Sequence, residues 1–391
     1  MKTKRSSFAT TAAGIFYCFI GYGTYLYFFS QVETGKVPAA ETVLSGEIGD
    51  ASSPTVNGFL LTEIHRPELL QAPPEVGYPV YQSLLEAVST WSPDDPEQPT
   101  SFKETLQRFN YSDKLERSYA EKFRNAELPF KLYDVPDIIQ VSKKWTDEYL
   151  NANMADSVAH VEESKSNHFM YWNGNVKKKN FPDGFKPPTG FIDMKFDEWI
   201  KIARNADEVK MENATTHYYF MTGALANDKL KSFLSKDLPI FSTRRNNFFI
   251  SNVYANKGIQ CRFGMRGIIA EAHYDSGRNM VAMIKGAKRY ILNPPSACKQ
   301  LGIISDTKHP SYRHSVIDWS DINEATSKGF RSVDAIDTIV QAGEVLYIPS
   351  YWFHYIVSLK YSIQCNSRSG SPPQKNGEAE IVACLGRPKG W

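Results

Sequence analysis

The chain has 391 residues, with 45 Lys and Arg against 43 Asp and Glu, and 42% of its residues are hydrophobic. This excludes a disordered or collagen-like chain and provides apolar content for one large domain or two small ones. The net charge of +2 removes the electrostatic ground for expecting a nucleic-acid binder, and five cysteines without a CxxC pair argue against a thiolate zinc site or a dense disulfide framework.

In chain order, the first informative segment is uncharged residues 8–30, preceded by Lys2, Lys4 and Arg5. At 1.5 Å per residue it is long enough to cross a hydrocarbon core of about 30 Å. The basic residues in front of it predict a cytosolic tail, 1–7, and a signal anchor, 8–30, with the body across the membrane. A cleaved signal peptide is the competing reading, although such apolar cores span only about 7–15 residues. Two glycosylation triplets, at Asn110 and Asn213, fit a body in the endoplasmic reticulum or Golgi lumen. The expectation is a single-pass type II protein.

Residues 31–124 read as a Pro-rich stem with a helical segment. Nine of the 22 prolines fall between Pro38 and Pro99, which is linker chemistry. Inside it, Tyr81, Leu84, Leu85 and Val88 share one helical face. Ser101 to Glu104 reads as a capping box opening a helix that aligns Phe102, Leu106 and Phe109. Further helices are predicted over 137–150, 193–204 and 226–235. From residue 216 the pattern changes to short apolar runs broken by Gly, Pro and Asn, among them HYYFMTG, NNFFISNVY, IQCRFGM, NMVAMIKG and KRYILNPP. Such runs predict strands of a sandwich or barrel over a domain of 125–370. The tail, 371–391, shows no strong helical pattern and offers no site.

Of the eight histidines, two stand out. In His273-Tyr274-Asp275 an imidazole and a carboxylate stand at i and i+2, on the same face of an extended strand. His354 lies in the apolar run VLYIPSYWFHYIVS. Two imidazoles and one carboxylate on one face of a metal form the facial triad of non-haem Fe(II) oxygenases.

The runs GMRGIIAEAHYDSGRNMVAMIKGAKRYILNPP, AGEVLYIPSYWFHYIVSL and YSIQCNSR together resemble the JmjC (cupin-like) family of Fe(II)/2-oxoglutarate-dependent oxygenases. The form they resemble most is that of the hypoxia-inducible-factor asparaginyl hydroxylase. The resemblance implies a mostly β fold with flanking helices, a double-stranded β-helix (jelly-roll) barrel behind the anchor. It implies that His273, Asp275 and His354 hold Fe(II), and that Lys288 pairs with the far carboxylate of 2-oxoglutarate. Tyr219 matches a tyrosine bonding the same carboxylate, with Tyr218 as the alternative if the register slips by one. Asn279 and Asn366 match polar positions lining the cosubstrate and metal pocket. Lys285 and Arg289 are expected to be exposed strand-end cations.

Two departures stand out. Ala270, followed by Glu271, occupies a position where the family often carries a cosubstrate-binding Thr. Arg368 replaces an aromatic residue; facing the cavity, it would favour an acidic substrate or a different cosubstrate pose. Cys365 is expected to be a buried thiol, while Cys261 and Cys298 are candidates to pair in an oxidising lumen.

The expected activity is hydroxylation with Fe(II), 2-oxoglutarate and dioxygen in the secretory lumen. Its substrate would be a protein side chain, with a small molecule or glycan as the other option. Two alternatives carry different functions: a non-catalytic lumenal cupin-like binder with a vestigial metal site, and a JmjC demethylase. The expected partners are that substrate and, through the anchor, the membrane, with no nucleic acid; oligomeric state is left open.

Overall fold

Apolar and β-branched runs bounded by Gly, Pro and Asn form the strands of this protein. A computed structural model describes residues 81–209, 216–226, 228, 230–371 and 376–386. The expected anchor, the stem up to residue 80 and Asn213 lie outside the described residues. Among the described residues, no helix is long and apolar enough to cross a membrane.

The strands are, in order, β1 (Gln82–Ser83), β2 (Arg108–Asn110), β3 (Phe130–Tyr133), β4 (Val158–Ser164) and β5 (His168–Phe169). There follow β6 (Gly190–Lys195), β7 (His217–Ala224), β8 (Asn256–Gly264), β9 (Ile269–Tyr274) and β10 (Asn279–Lys285). The last are β11 (Ala287–Asn293), β12 (Asp334–Gln341), β13 (Val345–Ile348), β14 (Phe353–Ser358) and β15 (Ser362–Ser369). They build a six-stranded sheet, β1-β12-β11-β14-β9-β5, and a nine-stranded sheet, β2-β3-β13-β10-β15-β8-β7-β4-β6. Pairing is antiparallel except at β2–β3 and β5–β9. This is a mostly β fold with flanking helices, consistent with a cupin or jelly-roll barrel.

Both faces of β10 and β11 are covered, so these strands are buried almost throughout instead of alternating. Gly286 turns the chain between them at φ 71°, and a Cβ there would lie 2.2 Å from the Tyr361 carbonyl oxygen. Only glycine fits. Outside the larger sheet, the helix Phe196–Glu208 buries Phe196 and Trp199 edge-on against Phe263, with Phe220 beside them. Outside the smaller sheet, the helix Leu84–Thr90 packs Leu84, Leu85 and Val88 in one cluster with Ile291, Trp319 and Tyr355.

That second packing changes the expected organisation. Residues 82–110, read as stem, contribute β1, β2 and a core helix; β1 pairs with β12 through Gln82–Ala335 and Ser83–Asp334. The capping-box helix after Ser101 is absent. Glu104 instead accepts a bond from Lys131 Nζ at 3.0 Å and one from the Thr338 hydroxyl, so a buried tertiary contact overrides the local signal. The helix expected over 137–150 is two, Pro136–Lys144 and Asp147–Met154, because Thr146 caps the second through the Tyr149 amide. The helices expected over 193–204 and 226–235 run over Phe196–Glu208 and Phe233–Asp237, and NNFFISNVY forms a loop closing on the short 3-10 turn Val253–Ala255. A helix, Asn376–Leu385, follows Ser369 where none was expected.

Arg289 differs most from expectation. It is fully buried, not exposed: it pairs with Asp337 and donates to the carbonyls of Trp91 and Ala87 at 2.8 and 2.9 Å. Cysteine pairing also differs. Cys261 and Cys365 stand opposite each other on β8 and β15 and form a disulfide, so Cys365 is not a free thiol and Cys261 does not pair with Cys298. Cys298 is bonded to Cys384, which ties the C-terminal helix to the barrel.

Candidate metal and cosubstrate site

Strand alternation decides which side chains enter the space between the sheets. On β8, Cys261 and Phe263 turn into the outer core, so Gln260, Arg262 and Gly264 turn inward. On β11, Lys288 and Tyr290 point in while Arg289 points out under the helix Leu84–Thr90. The result is a cavity of about 430 Å³, of the size small-molecule sites take.

At its centre, β9 and β14 place His273 directly opposite His354, and Asp275 follows the end of β9. The three side chains each offer a ligand atom within 4.8 Å of the others. Both imidazoles are oriented by backbone: His273 Nδ1–H donates to the Glu271 carbonyl at 2.7 Å, and His354 Nδ1–H to the Trp352 carbonyl at 3.1 Å. Those bonds leave Nε2 of each ring as the free base, the arrangement of a metal-ligating histidine. Burial, with the neighbouring His354 adding to it, holds His273 well below its usual range. Burial also lowers His354 despite Asp275 beside it. The Asp275 carboxyl is pushed up by burial, but Arg368, His354 and Arg313 outweigh that and leave it lowered. Two neutral imidazoles and one carboxylate are thus ready as a donor set, and that chemistry fits Fe(II).

Beneath the cavity floor, Lys288 Nζ lies 3.2 Å from the Tyr219 hydroxyl and has no carboxylate partner among the described residues. Burial, then Arg262, brings its ammonium down to about 7. Burial takes Tyr219 up to about 12. The hydroxyls of Ser358 and Ser362 are buried there without hydrogen-bond partners. Gly264 keeps the space open, since a Cβ would sit 2.6 Å from Ser358 Oγ and 3.5 Å from Lys288 Nζ. A group of donors around a cation, lacking an anion, fits the far carboxylate of a dicarboxylate such as 2-oxoglutarate.

Each residue expected in the site is therefore at the cavity or directly under it. Asn366 Nδ2 donates to Asn279 Oδ1 at 2.9 Å, and both line the wall next to the triad. Tyr219 lines the cavity and its β7 neighbour Tyr218 does not, as strand alternation requires. Ala270 faces the cavity as well.

A profile of the cupin-like domain matches residues 116–367, well over half of the sequence. The chain belongs to the cupin-like domain family. This cupin-like chain is 32% identical over 101 residues to the lysine-specific demethylase JMJ30 of Arabidopsis thaliana, covering 26% of the chain and 23% of the relative. It is 26% identical over 179 residues to the tRNA wybutosine-synthesizing protein 5 of Danio rerio, covering 44% and 51%. With the arginine-specific demethylase JMJ20 of Arabidopsis thaliana it shares 20% over 278 residues, covering 67% and 56%. The chain spans from about a quarter to just over half the length of these relatives. JmjC-type cupin domains generally bind Fe(II) with 2-oxoglutarate, and this one carries the triad.

Several cavity residues escaped sequence reading. Arg262 lines the wall beside Tyr219, and only the inward phase of β8 identifies it. His314 stacks on His273 with ring centroids 4.9 Å apart, and burial, then Arg313, lowers it to about 4. Arg313 reaches Asp275 Oδ1 at 3.3 Å from a backbone at φ 76°. Neither sits in a strand pattern, so periodicity carried no signal. Arg368 does face the cavity, its Nη2 2.8 Å from Asp275 Oδ2.

Proposed function

We propose that this cupin-like protein is an Fe(II)- and 2-oxoglutarate-dependent oxygenase that hydroxylates a protein side chain, anchored through residues 8–30 and facing the secretory lumen. The observation that carries the reading is the convergence of His273, Asp275 and His354 beside the buried Lys288–Tyr219 pair. When bound, Fe(II) with 2-oxoglutarate supplies activation of dioxygen coupled to oxidative decarboxylation of the cosubstrate to succinate. The chain's own residues do the positioning. Glu271 and Trp352 carbonyls fix the imidazole tautomers, Lys288 and Tyr219 hold the far carboxylate, and Arg262 adds a second cation near it. The Asn279–Asn366 bond fixes the polar wall near the reacting centre. Apolar Val281, Ile348 and Ile356 keep bulk water from the space between.

Two disulfides among the described residues support an oxidising compartment, as does the pattern of residues 1–30. We take the barrel unit to extend N-terminal of residue 125, because β1, β2 and the helix Leu84–Thr90 pair or pack with its strands. Relatives named as demethylases favour a second reading, in which the same oxidation falls on an N-methyl group. A non-catalytic binder is the third, and Ala270 and Arg368 are the residues that favour it.

Purified protein with Fe(II), ascorbate and 2-oxoglutarate is expected to release succinate. Asp275→Ala and His354→Ala are each expected to abolish it; turnover that survives both substitutions contradicts the assignment.

A further inference from the structure

The roles proposed for the metal ligands and for the pair holding the far carboxylate leave two guanidiniums at the triad, Arg313 and Arg368, without an assigned role. Arg368 comes from β15, directly across from Asn279 on β10, and Arg313 from the loop that pairs with β9 through His314. From these separate elements they reach opposite oxygens of one carboxylate, Asp275, at 2.8 and 3.3 Å. Asp275 is the acid with which ion pairs are recorded for either of them among the described residues. Arg368 Nε is buried without a hydrogen-bond partner, while both side chains stay about one-third exposed at the cavity mouth, 33% and 29%.

The charges then do not balance in a loaded site. With Fe(II) and 2-oxoglutarate held as proposed, Asp275 would offset part of the ion's charge and Lys288 would meet the far carboxylate. Arg262 stands near Glu162, a buried carboxyl on β4 that accepts from Thr189 at 2.6 Å. Arg313 and Arg368 are left sharing a carboxylate whose charge a metal also draws upon. Two guanidiniums in a half-desolvated pocket strongly favour an added anion. Arg313 donates a hydrogen bond to one oxygen of a carboxylate and Arg368 stands in ion-pair contact with the other.

We infer that the substrate presents a carboxylate to Arg313 and Arg368, which select it over its uncharged amide counterpart. This rests on the oxygenase reading above and names the substrate class of that site. The carboxylate can belong to an acidic peptide side chain or to a small organic acid. Exposed Tyr171 and Phe191, which line the same mouth, would cover the substrate's apolar portion.

The test uses full-length protein loaded with Mn(II) and 2-oxoglutarate, titrated calorimetrically. One arm uses acetylated Gly/Ser heptapeptides with a central Asp, Glu, Asn or Gln; the other uses N-acetylglycine against its amide. The acid form is expected to bind about tenfold more tightly than the amide in at least one arm, and the arm that responds identifies the source. That ratio is expected to fall toward one in Arg368→Gln and to recover partly in Arg368→Lys. Mn(II) affinity is measured in the same variants: a fall in metal affinity with an unchanged acid-to-amide ratio would mean that Arg368 only positions Asp275, which overturns the inference. Equal binding of acid and amide, no binding of either acid, or binding of a phosphate-bearing oligoribonucleotide alone also overturns it. Failure of 2-oxoglutarate to bind the Mn(II)-loaded protein would instead remove the oxygenase reading, and this inference with it.

Discussion

Lys288 carries an unusual burden: a fully buried amine with a tyrosine hydroxyl as its nearest polar partner. Its folded value of about 7 lies below the ordinary lysine value of about 10.4. The unfolded chain therefore binds more protons between those values, and stability rises with pH across that window. The destabilisation is complete below about pH 7 and gone by about pH 10. A carboxylate placed against the amine reverses this preference. At pH 8 binding of 2-oxoglutarate is expected to take up a proton, and its affinity to weaken as pH rises from 7 to 9. Calorimetry in two buffers of different ionisation enthalpy measures both, and a buffer-independent heat with flat affinity contradicts the role of Lys288. Neighbouring Arg289 shows how far sequence reaches at this scale. The resemblance distinguished Lys288 from the cations around it, but Arg289 read locally as an exposed strand-end cation, because the Asp337 that pairs with it is 48 residues away. Contacts between distant residues leave no local trace.

At the scale of elements, the strands β7, β8, β10, β11, β13, β14 and β15 were legible because each is an apolar run ended by a turn residue. The early strands β2 to β6 were not. They are short or mixed in polarity, as in β4, which starts exposed and ends buried with Glu162 and Ser164 among its buried residues, and tertiary pairing forms them. Helix signals misled where a buried ion pair competed: Glu104 serves Lys131, not a capping box. The helix Leu84–Thr90 was visible by its apolar face, while its docking through Arg289 was not. Replacing Arg289 with Ala strands the Asp337 carboxylate in the core and loosens that helix. A loss of about 3–5 kcal/mol is expected in denaturant unfolding. A loss below about 1 kcal/mol, the usual worth of an exposed pair, would contradict a docking role.

For the whole molecule, the barrel brings one wall from each sheet to a single cavity, and its location in the cell rests on a separate segment of sequence. If residues 8–30 anchor the protein with its body in the lumen, protease added to intact microsomes is expected to spare the C-terminal body, and detergent to expose it. Digestion in intact microsomes contradicts the orientation while leaving the chemistry untouched. The chemistry itself depends on the triad and the buried ammonium acting as one site. Anomalous diffraction at the iron edge, from crystals prepared anaerobically with Fe(II) and 2-oxoglutarate, measures that directly. The expected result is one iron peak at coordination distance, about 2 Å, from His273, Asp275 and His354, with the far carboxylate of the cosubstrate on Lys288 and Tyr219. An iron peak elsewhere, or a cosubstrate whose far carboxylate avoids Lys288, would contradict the account.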